Sequence, residues 1–217
     1  PAVGPVDSCP EPNGFEIISD ESEFVKTGNS YACELNTNKQ LSVTGGSLHI
    51  YLCQFTNVKS KRAIYVSPTD ENQDIKIQNS KFYKINGYAL DIVTPDGAKT
   101  IITYCLFEQC SSDEKAGAIY YSGADISIEN CQFLDNYITV DDNLKPGPKD
   151  IQIDYHLTSD VTLTIRDCKF QHKDPNRKKG DSTIKIISVG PSTKLDFQFF
   201  NNEFSIHQEL KNIKLIQ

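Results

Sequence analysis

The sequence predicts an all-β fold in which short strands repeat along the chain as a solenoid. Three observations lead to this prediction. One eight-residue pattern returns six times, each copy alternates apolar and polar residues like a strand with one buried face, and the copies begin 25 to 37 residues apart. Repeats of this period are typical of folds that stack one small structural unit on the next.

The repeated pattern reads apolar, any, apolar, any, any, small, any, Phe. Its six copies are LHIYLCQF (48–55), IKIQNSKF (75–82), TIITYCLF (100–107), ISIENCQF (126–133), LTIRDCKF (163–170) and FQFFNNEF (197–204). In four copies the fifth position holds Asn79, Asn130, Asp167 or Asn201. Because Asn and Asp tolerate left-handed backbone angles, we expect a bend there, after which the small residue and the Phe point inward again.

A second strand is predicted after each copy, at six further alternating apolar pairs. These are Ile64/Val66, Leu90/Ile92, Ile119/Tyr121, Ile151/Ile153, Ile184/Ile186 and Ile213/Leu215. Short strands separated by bends are typical of a parallel β-helix, whereas a β-sandwich does not explain why the same Phe returns in register. We therefore predict about six coils over residues 41–217, preceded by an N-terminal cap of residues 1–40. Within the cap, SDESEFVK (19–26) is the one helical signal, with Ser19 as its candidate N-cap.

The interior is predicted to contain two vertical columns of side chains. The first is formed by Phe55, Phe82, Phe107, Phe133, Phe170 and Phe204. The second is the small position, with Cys53, Cys105, Cys131 and Cys168 in four copies and Ser80 and Asn202 in the others. Stacked strands hold equivalent atoms about 4.8 Å apart, wider than the roughly 3.5–4.5 Å between disulfide Cβ atoms, so we expect buried free thiols. Cys9 and Cys33 lie outside the repeat and are the predicted disulfide, whereas Cys110 has no assigned partner.

Composition excludes several classes of partner. The formal net charge is −7 and the basic residues form no stripe, which argues against nucleic acid binding. The basic turn KDPNRKK (173–179) is interpreted as a solvated hairpin. No apolar run approaches the roughly 20 residues that span a bilayer. The chain begins at Pro1 and contains no Met, so we expect a removed leader and a secreted or cell-surface protein.

The outward positions offer little chemistry on the strands themselves. No two carboxylates are adjacent in the outward rows, and Glu129 beside Arg166 predicts a surface ion pair. The four histidines are expected at the surface or rim, no spacing indicates a metal site, and no cofactor is expected. Asp141 and Asp142 in the long loop 138–150 are the remaining acidic candidates, although a solvated loop tip explains them more simply.

One outward row is a candidate binding surface. Tyr65, Asp91 and Tyr120 are predicted side by side on three successive coils. Aromatic faces beside an acid suit sugar rings or partner side chains, while packing between strands is the simpler explanation. The connections lengthen in the third, fourth and fifth coils (107→119, 133→151, 170→184), which predicts a recognition flank where they emerge together.

A family resemblance follows from two short motifs. An Asn follows the repeat Phe in FTN (55–57) and FLDN (133–136), and the second strand is entered through RAI (62–64) or AGAI (116–119). This resembles the paired F-x-x-N and G-G-A-I motifs of polymorphic outer-membrane-protein repeats. The architecture as a whole resembles right-handed, pectate-lyase-like parallel β-helices. The resemblance implies a right-handed β-helix that acts in adhesion or as a structural unit outside the cell, without catalysis.

The alternative function is a carbohydrate-active enzyme, either a polysaccharide lyase or a glycoside hydrolase, with its acids on the long loops. The sequence ends in NIKLIQ (212–217), a predicted strand of the sixth coil. A β-helix end presents unpaired backbone groups that invite another strand. We therefore expect a protein partner or self-association at this C-terminal end, with a glycan as the other ligand considered.

Overall fold

The computed structural model describes residues 9, 14–18, 24–67, 74–113, 115–139, 148–156, 160–173, 182–189, 195–206 and 211–216. Within these ranges the regular elements are all β-strands. The strands form three large sheets and one two-stranded sheet, and every pair of named strands is parallel. The prediction of an all-β parallel β-helix is therefore confirmed.

The large sheets are built from strands of successive coils, eight in the first and third sheets and seven in the second. The first sheet contains Glu16–Ile17, Ser30–Cys33, Leu48–Tyr51, Asp74–Gln78, Lys99–Thr103, Asp125–Glu129, Val161–Arg166 and Leu195–Phe200. The second sheet contains Asn36–Thr37, Gln54–Thr56, Lys81–Tyr83, Leu106–Glu108, Gln132–Leu134, Lys169–His172 and Glu203–Ile206. The third sheet contains Phe24–Thr27, Leu41–Thr44, Arg62–Ser67, Tyr88–Val93, Ile119–Ser122, Ile151–His156, Ser182–Val189 and Lys211–Ile216. The two-stranded sheet pairs Ser111–Ser112 with Tyr137–Ile138.

Bends with left-handed backbone angles turn the coils at two positions. The predicted bend at the fifth repeat position is confirmed, with φ between 51° and 55° at Asn79, Asn130, Asp167 and Asn201. Glu34, Leu52 and Tyr104 adopt the same angle at the equivalent position. A second row of left-handed residues follows the second sheet, at Asn57, Lys84, Gln109 and Asp135. Because only some of these are Asn or Asp, composition alone does not reveal the second bend.

The repeat phenylalanines form one continuous stack inside the second sheet. Phe55, Phe82, Phe107, Phe133 and Phe170 are fully buried, and Phe204 is partly buried at the last described coil. Ring centroids of successive coils are 4.8 to 5.3 Å apart and the rings are within 10° of parallel. These separations follow the spacing of neighbouring strands in a sheet. The stack therefore shows that the six copies of the repeat lie in register along the solenoid.

The side chain at the small repeat position contacts both its own coil and the preceding coil at the first bend. The Cys105 thiol lies 3.3 Å from the Thr103 carbonyl in its own coil and 3.4 Å from the Ile77 carbonyl of the preceding coil. Cys53, Cys131 and Cys168 make the same pair of contacts. All four thiols are buried and free, so each serves as a small side chain with a weak donor.

Cys110 occupies a similar position after the second bend. Its thiol lies 3.6 Å from the Phe82 carbonyl and 3.7 Å from the Glu108 carbonyl, and it is fully buried and free. Burial raises the pKa of the Cys110 thiol to about 12. Cys110, the cysteine that the sequence leaves without an assigned partner, is thus part of the interior.

The N-terminal segment contributes strands to the same sheets. Ser30–Cys33 pairs with Leu48–Tyr51, and Phe24–Thr27 pairs with Leu41–Thr44. The helical prediction for 19–26 is wrong over residues 24–26, because they belong to the strand Phe24–Thr27, whose backbone pairs with the neighbouring strand. Residues 19–23 lie outside the described residues. The predicted Cys9–Cys33 disulfide is confirmed, with the two Cα atoms 6.1 Å apart.

Candidate ligand-binding groove

The predicted outward row lies on three neighbouring strands of the third sheet. Asp91 pairs in register with Tyr65 on one side and with Tyr120 on the other. Asp91 is 4% exposed and Tyr120 is 9% exposed, while Tyr65 is half-buried. The row therefore offers a ligand much less surface than three fully outward side chains would. Binding by these residues stays a prediction, with Tyr65 the most accessible of the three.

Arg62 connects this row to the neighbouring bend. Its Nε atom lies 2.6 Å from Asp91 Oδ2, and its guanidinium carbon lies 4.2 Å from the centroid of the Tyr65 ring. The Nε–H bond does not point at the carboxylate, so the contact is an ion pair by distance and not a hydrogen bond. Two contacts thus fix a guanidinium whose side chain remains 32% exposed.

Tyr120 belongs to a second polar contact on the same sheet. Its hydroxyl donates to Asp154 Oδ2 at 3.0 Å, and the Lys115 ammonium lies 3.6 Å from its ring centroid. Burial raises the pKa of the Tyr120 hydroxyl, and Lys115 only partly opposes this. The hydroxyl therefore stays protonated at neutral pH and acts as a donor.

A cavity of about 230 Å³ opens beside the row, between the second and third sheets. It crosses four successive coils along the solenoid axis. Its lining residues are Lys59, Lys61, Arg62, Asn86, Gly87, Tyr88, Ser112, Asp113 and Thr139. Three of them are basic and one is acidic. We call this cavity the corner groove.

Gly87 is one of the residues that line the corner groove. Its φ is +142°, and a Cβ atom there would overlap the Lys61 carbonyl of the preceding coil. Its amide donates to the Ser111 carbonyl at 2.5 Å, and the Tyr88 amide donates to the Lys61 carbonyl at 2.9 Å. The absence of a side chain at Gly87 therefore lets this bend lie directly against the Lys61 carbonyl of the preceding coil.

Next to the corner groove, the fourth and fifth coils hold a buried polar cluster. Asp150 is fully buried; its Oδ1 accepts from Asn136 Nδ2 at 2.8 Å, and its Oδ2 lies 2.8 Å from His172 Nε2. Asn136 also binds the Cys110 amide and the Phe107 carbonyl. The prediction of a surface or rim position is wrong for His172, which is 5% exposed, because Asp150 gives its ring a buried partner.

The two motifs behind the family resemblance meet at this cluster. Asn136 ends FLDN, and Gly117 in AGAI donates its amide to the Lys149 carbonyl at 3.0 Å. A Cβ atom at Gly117 would overlap that carbonyl. The Lys149 side chain is buried as well, and burial lowers its pKa although Asp150 and Asp135 oppose the shift. Both motifs therefore serve to bring the ends of the long connections close to the coil.

Other predicted residues have different outcomes. The Glu129–Arg166 ion pair is present on neighbouring strands of the first sheet, as predicted. Asp141 and Asp142 lie outside the described residues and stay a prediction. Among the described residues, no three His, Cys, Asp or Glu side chains lie together in a group that could hold a metal ion.

Sequence reasoning missed the corner groove itself. Its residues come from bends on four coils, and only their register brings Lys61, Gly87 and Asp113 together. Two local signals pointed there: the Asn86-Gly87 dipeptide, which is typical of tight bends, and RAI (62–64), which places Arg62 at the entry to the third sheet.

The fold and the motifs can be set beside known families. Residues 39–209 match the family described as the right-handed beta helix region. This protein belongs to the right-handed β-helix family. Comparison with curated proteins and with solved structures found no significant match. In the described part of the chain, no helix is long and apolar enough to cross a membrane.

Proposed function

We propose that this β-helix protein is a non-enzymatic, secreted or cell-surface protein that acts in adhesion or as a structural unit of an extracellular assembly. The observation that carries the proposal is the pairing of outward carboxylates with basic side chains. Asp91 pairs with Arg62, Glu129 with Arg166, and Asp154 with Lys115. A glycosidase needs two carboxyl groups available across the scissile bond, about 5–9.5 Å apart. Carboxylates held in ion pairs between neighbouring coils are better suited to stabilising a surface.

Two further observations support an extracellular role. The Cys9–Cys33 disulfide is of the kind that persists in oxidising compartments. Asn136 and Gly117, which belong to the F-x-x-N and G-G-A-I-like motifs, both make contacts that shape the coil. These contacts support the similarity to the repeats of surface adhesins.

A partner at the C-terminal end of the solenoid is part of this proposal. At the last described coil, Leu195, Phe197, Phe199 and Phe204 are only partly buried, and Phe200 is 41% exposed. Partly exposed core aromatics beside strand edges favour strand pairing with another chain or another copy. Sedimentation velocity over a range of protein concentrations tests self-association. We expect the protein to self-associate as its concentration rises, and we expect Phe200→Ser to weaken this association. A monomer at every concentration would contradict self-association.

Binding and turnover can be separated directly. The protein is applied to a glycan array and to immobilised cells, and is incubated in parallel with a panel of polysaccharides while reducing ends and unsaturated products are measured. We expect binding without turnover. Turnover that is lost in Asp141→Ala/Asp142→Ala but kept in the control Asp196→Ala would overturn the proposal in favour of a carbohydrate-active enzyme.

A further inference from the structure

We propose that the partner at the C-terminal end of the solenoid is a second copy of this protein, which meets it end to end across a two-fold axis. The inference rests on the proposed self-association and names its partner and its geometry. Among the described residues, each large sheet begins and finishes with one edge strand. The C-terminal edge strands are Leu195–Phe200, Glu203–Ile206 and Lys211–Ile216. The N-terminal edge strands are Glu16–Ile17, Asn36–Thr37 and Phe24–Thr27.

The core layer at the C-terminal edge is aromatic. Phe197 and Phe199 pair in register with Leu163 and Ile165 of the preceding coil, which are buried. The two phenylalanines are only partly buried, and their ring centroids are 5.7 Å apart. The ring of Phe204 extends the cluster, with its centroid 6.1 Å from that of Phe199. Because aromatic side chains bury much apolar area in an interface, a second layer that covers this cluster is stabilising.

The core layer at the N-terminal edge is charged instead. Glu16 and Lys26 pair in register with the buried residues Ser30 and Val43, so they occupy inward rows of the first and third sheets. Their side chains form an ion pair with each other. The N-terminal edge strands have two, two and four residues, against six, four and six at the C-terminal edge. Since inward charges and short strands weaken the pairing of a sheet edge, a C-terminal edge pairs better with another C-terminal edge.

A two-fold axis perpendicular to the solenoid fits the C-terminal edge strands. Such an axis reverses the strands of the partner, so strands that meet across it pair antiparallel. In a three-sided coil it brings one edge strand against its own copy and exchanges the other two. The exchanged strands are Leu195–Phe200 and Lys211–Ile216, which are both six residues long. Because each copy uses the same surface, the assembly closes as a dimer.

The charges of the edge strands favour this arrangement over head-to-tail stacking. The exchange pairs the strand that contains Asp196 with the strand that contains Lys211 and Lys214. Head-to-tail stacking would place the Asp196 strand against the Glu16 strand in the first sheet. In the third sheet it would place the Lys211 and Lys214 strand against the Lys26 strand. Opposite charges across an interface favour a partner, and like charges disfavour it.

Distances between spin labels, measured by pulsed electron paramagnetic resonance, test the geometry on the whole chain. The labels are attached to Ser205→Cys near the C-terminal edge or to Thr44→Cys near the N-terminal edge; both positions are exposed, and the native free thiols are buried. In the two-fold dimer, the Ser205 labels should lie within roughly 20 Å of each other. Six strand spacings of about 4.8 Å separate Thr44 from the C-terminal edge of its sheet, so the Thr44 labels should lie about 60 Å apart. Head-to-tail stacking would give about 40 Å at both sites.

Sedimentation velocity tests the charge pairing. We expect monomers and dimers without larger species, and we expect Lys211→Glu/Lys214→Glu to weaken dimerisation about tenfold or more. The control Lys59→Glu/Lys99→Glu makes the same change in net charge at two exposed lysines elsewhere and should leave dimerisation unchanged.

Equal weakening in the two double variants would overturn the inference, as would equal label distances at the two sites or a monomer at every concentration. Polysaccharide turnover that depends on Asp141 and Asp142 would overturn the proposed non-enzymatic function and leave the dimer standing. The two failures are therefore distinguishable.

Discussion

The phenylalanine stack and the alanine column beside it use the same coil repeat in different ways. In the stack, each coil from Phe55 to Phe204 contributes the same ring. In the alanine column, the buried residue at the start of the third sheet is Ala63, Ala89 and Ala118 in three coils, and then Asp150 and Thr183. The uniform column holds the coils in register. The alanine column changes to polar residues where the long connections end, and so introduces buried polar contacts there.

The largest effect is expected in the uniform column. Phe107→Ala removes a fully buried ring stacked between Phe82 and Phe133, 5.0 Å from each. It should lower the free energy of unfolding by about 4 kcal/mol, from lost apolar burial and the cavity left behind. Urea unfolding followed by circular dichroism measures this. Phe204→Ala, at a partly buried position of the same stack, is the control and should cost clearly less; equal costs would contradict the account of the stack.

A somewhat smaller effect is expected in the alanine column. Asp150→Ala leaves His172 Nε2 without its buried partner and removes one of the two acceptors of Asn136 Nδ2, and should lower the free energy of unfolding by about 3 kcal/mol. Adding His172→Ala should cost little more, because the two residues act as a pair. Glu203→Gln is the control, since that side chain is 76% exposed in a surface pair. Additive losses in the double variant would show that the pair is not coupled.

The buried thiols of the interior give a third prediction. Burial raises the pKa of Cys53 to about 11 and that of Cys110 to about 12, so the reactive thiolate is depleted about a hundredfold or more relative to an ordinary thiol. The pKa of Cys131 is raised as well, by burial and by its neighbour Cys105. Mass spectrometry after alkylation at pH 8 should find the native protein unmodified and the five free thiols modified after unfolding. Rapid labelling of the native protein would contradict the buried column.

The smallest effect is expected on the outer face. Burial raises the pKa of Glu129, but hydrogen bonds from Ser127 and Arg166 and the charge of Arg166 lower it more, with a net downward shift. A lowered folded-state pKa contributes stability above the unfolded pKa, and this contribution disappears as the pH falls through the folded value. Glu129→Gln should therefore cost at most about 1 kcal/mol at pH 7 and nothing in acid. Urea unfolding at both pH values measures it; an equal cost at low pH would exclude the ion pair as the cause.

The uniform features could be predicted from the sequence and the irregular ones could not. The repeated Phe and the Asn or Asp of the first bend recur in the letters, so their stacking and left-handed angles follow from pattern alone. The second bend uses Lys84 and Gln109, residues with no special preference for it, because the pairing of neighbouring coils imposes the angle. The corner groove was missed for the same reason. Lys61, Gly87 and Asp113 are 52 residues apart from first to last, and only register makes them neighbours.

Polar contacts between neighbouring coils are the other feature that the sequence does not reveal. His172 carries no local sign of burial, since its partner Asp150 comes from the preceding coil. Ligand binding by Asp91 stays a prediction, but its contact with Arg62 is one that the sequence pattern does not reveal. In both cases the deciding contact is a charge on a neighbouring coil, which a period-two pattern of apolar residues does not reveal.

The central claim is that the repeat phenylalanines lie one above another along the solenoid. NMR of protein with selectively labelled phenylalanine rings tests it most directly, with Phe107→Leu used to assign the middle ring. The account predicts ring-to-ring nuclear Overhauser contacts from Phe107 to Phe82 and to Phe133, each pair having centroids 5.0 Å apart. Ring contacts from Phe107 to neither of these residues would contradict it.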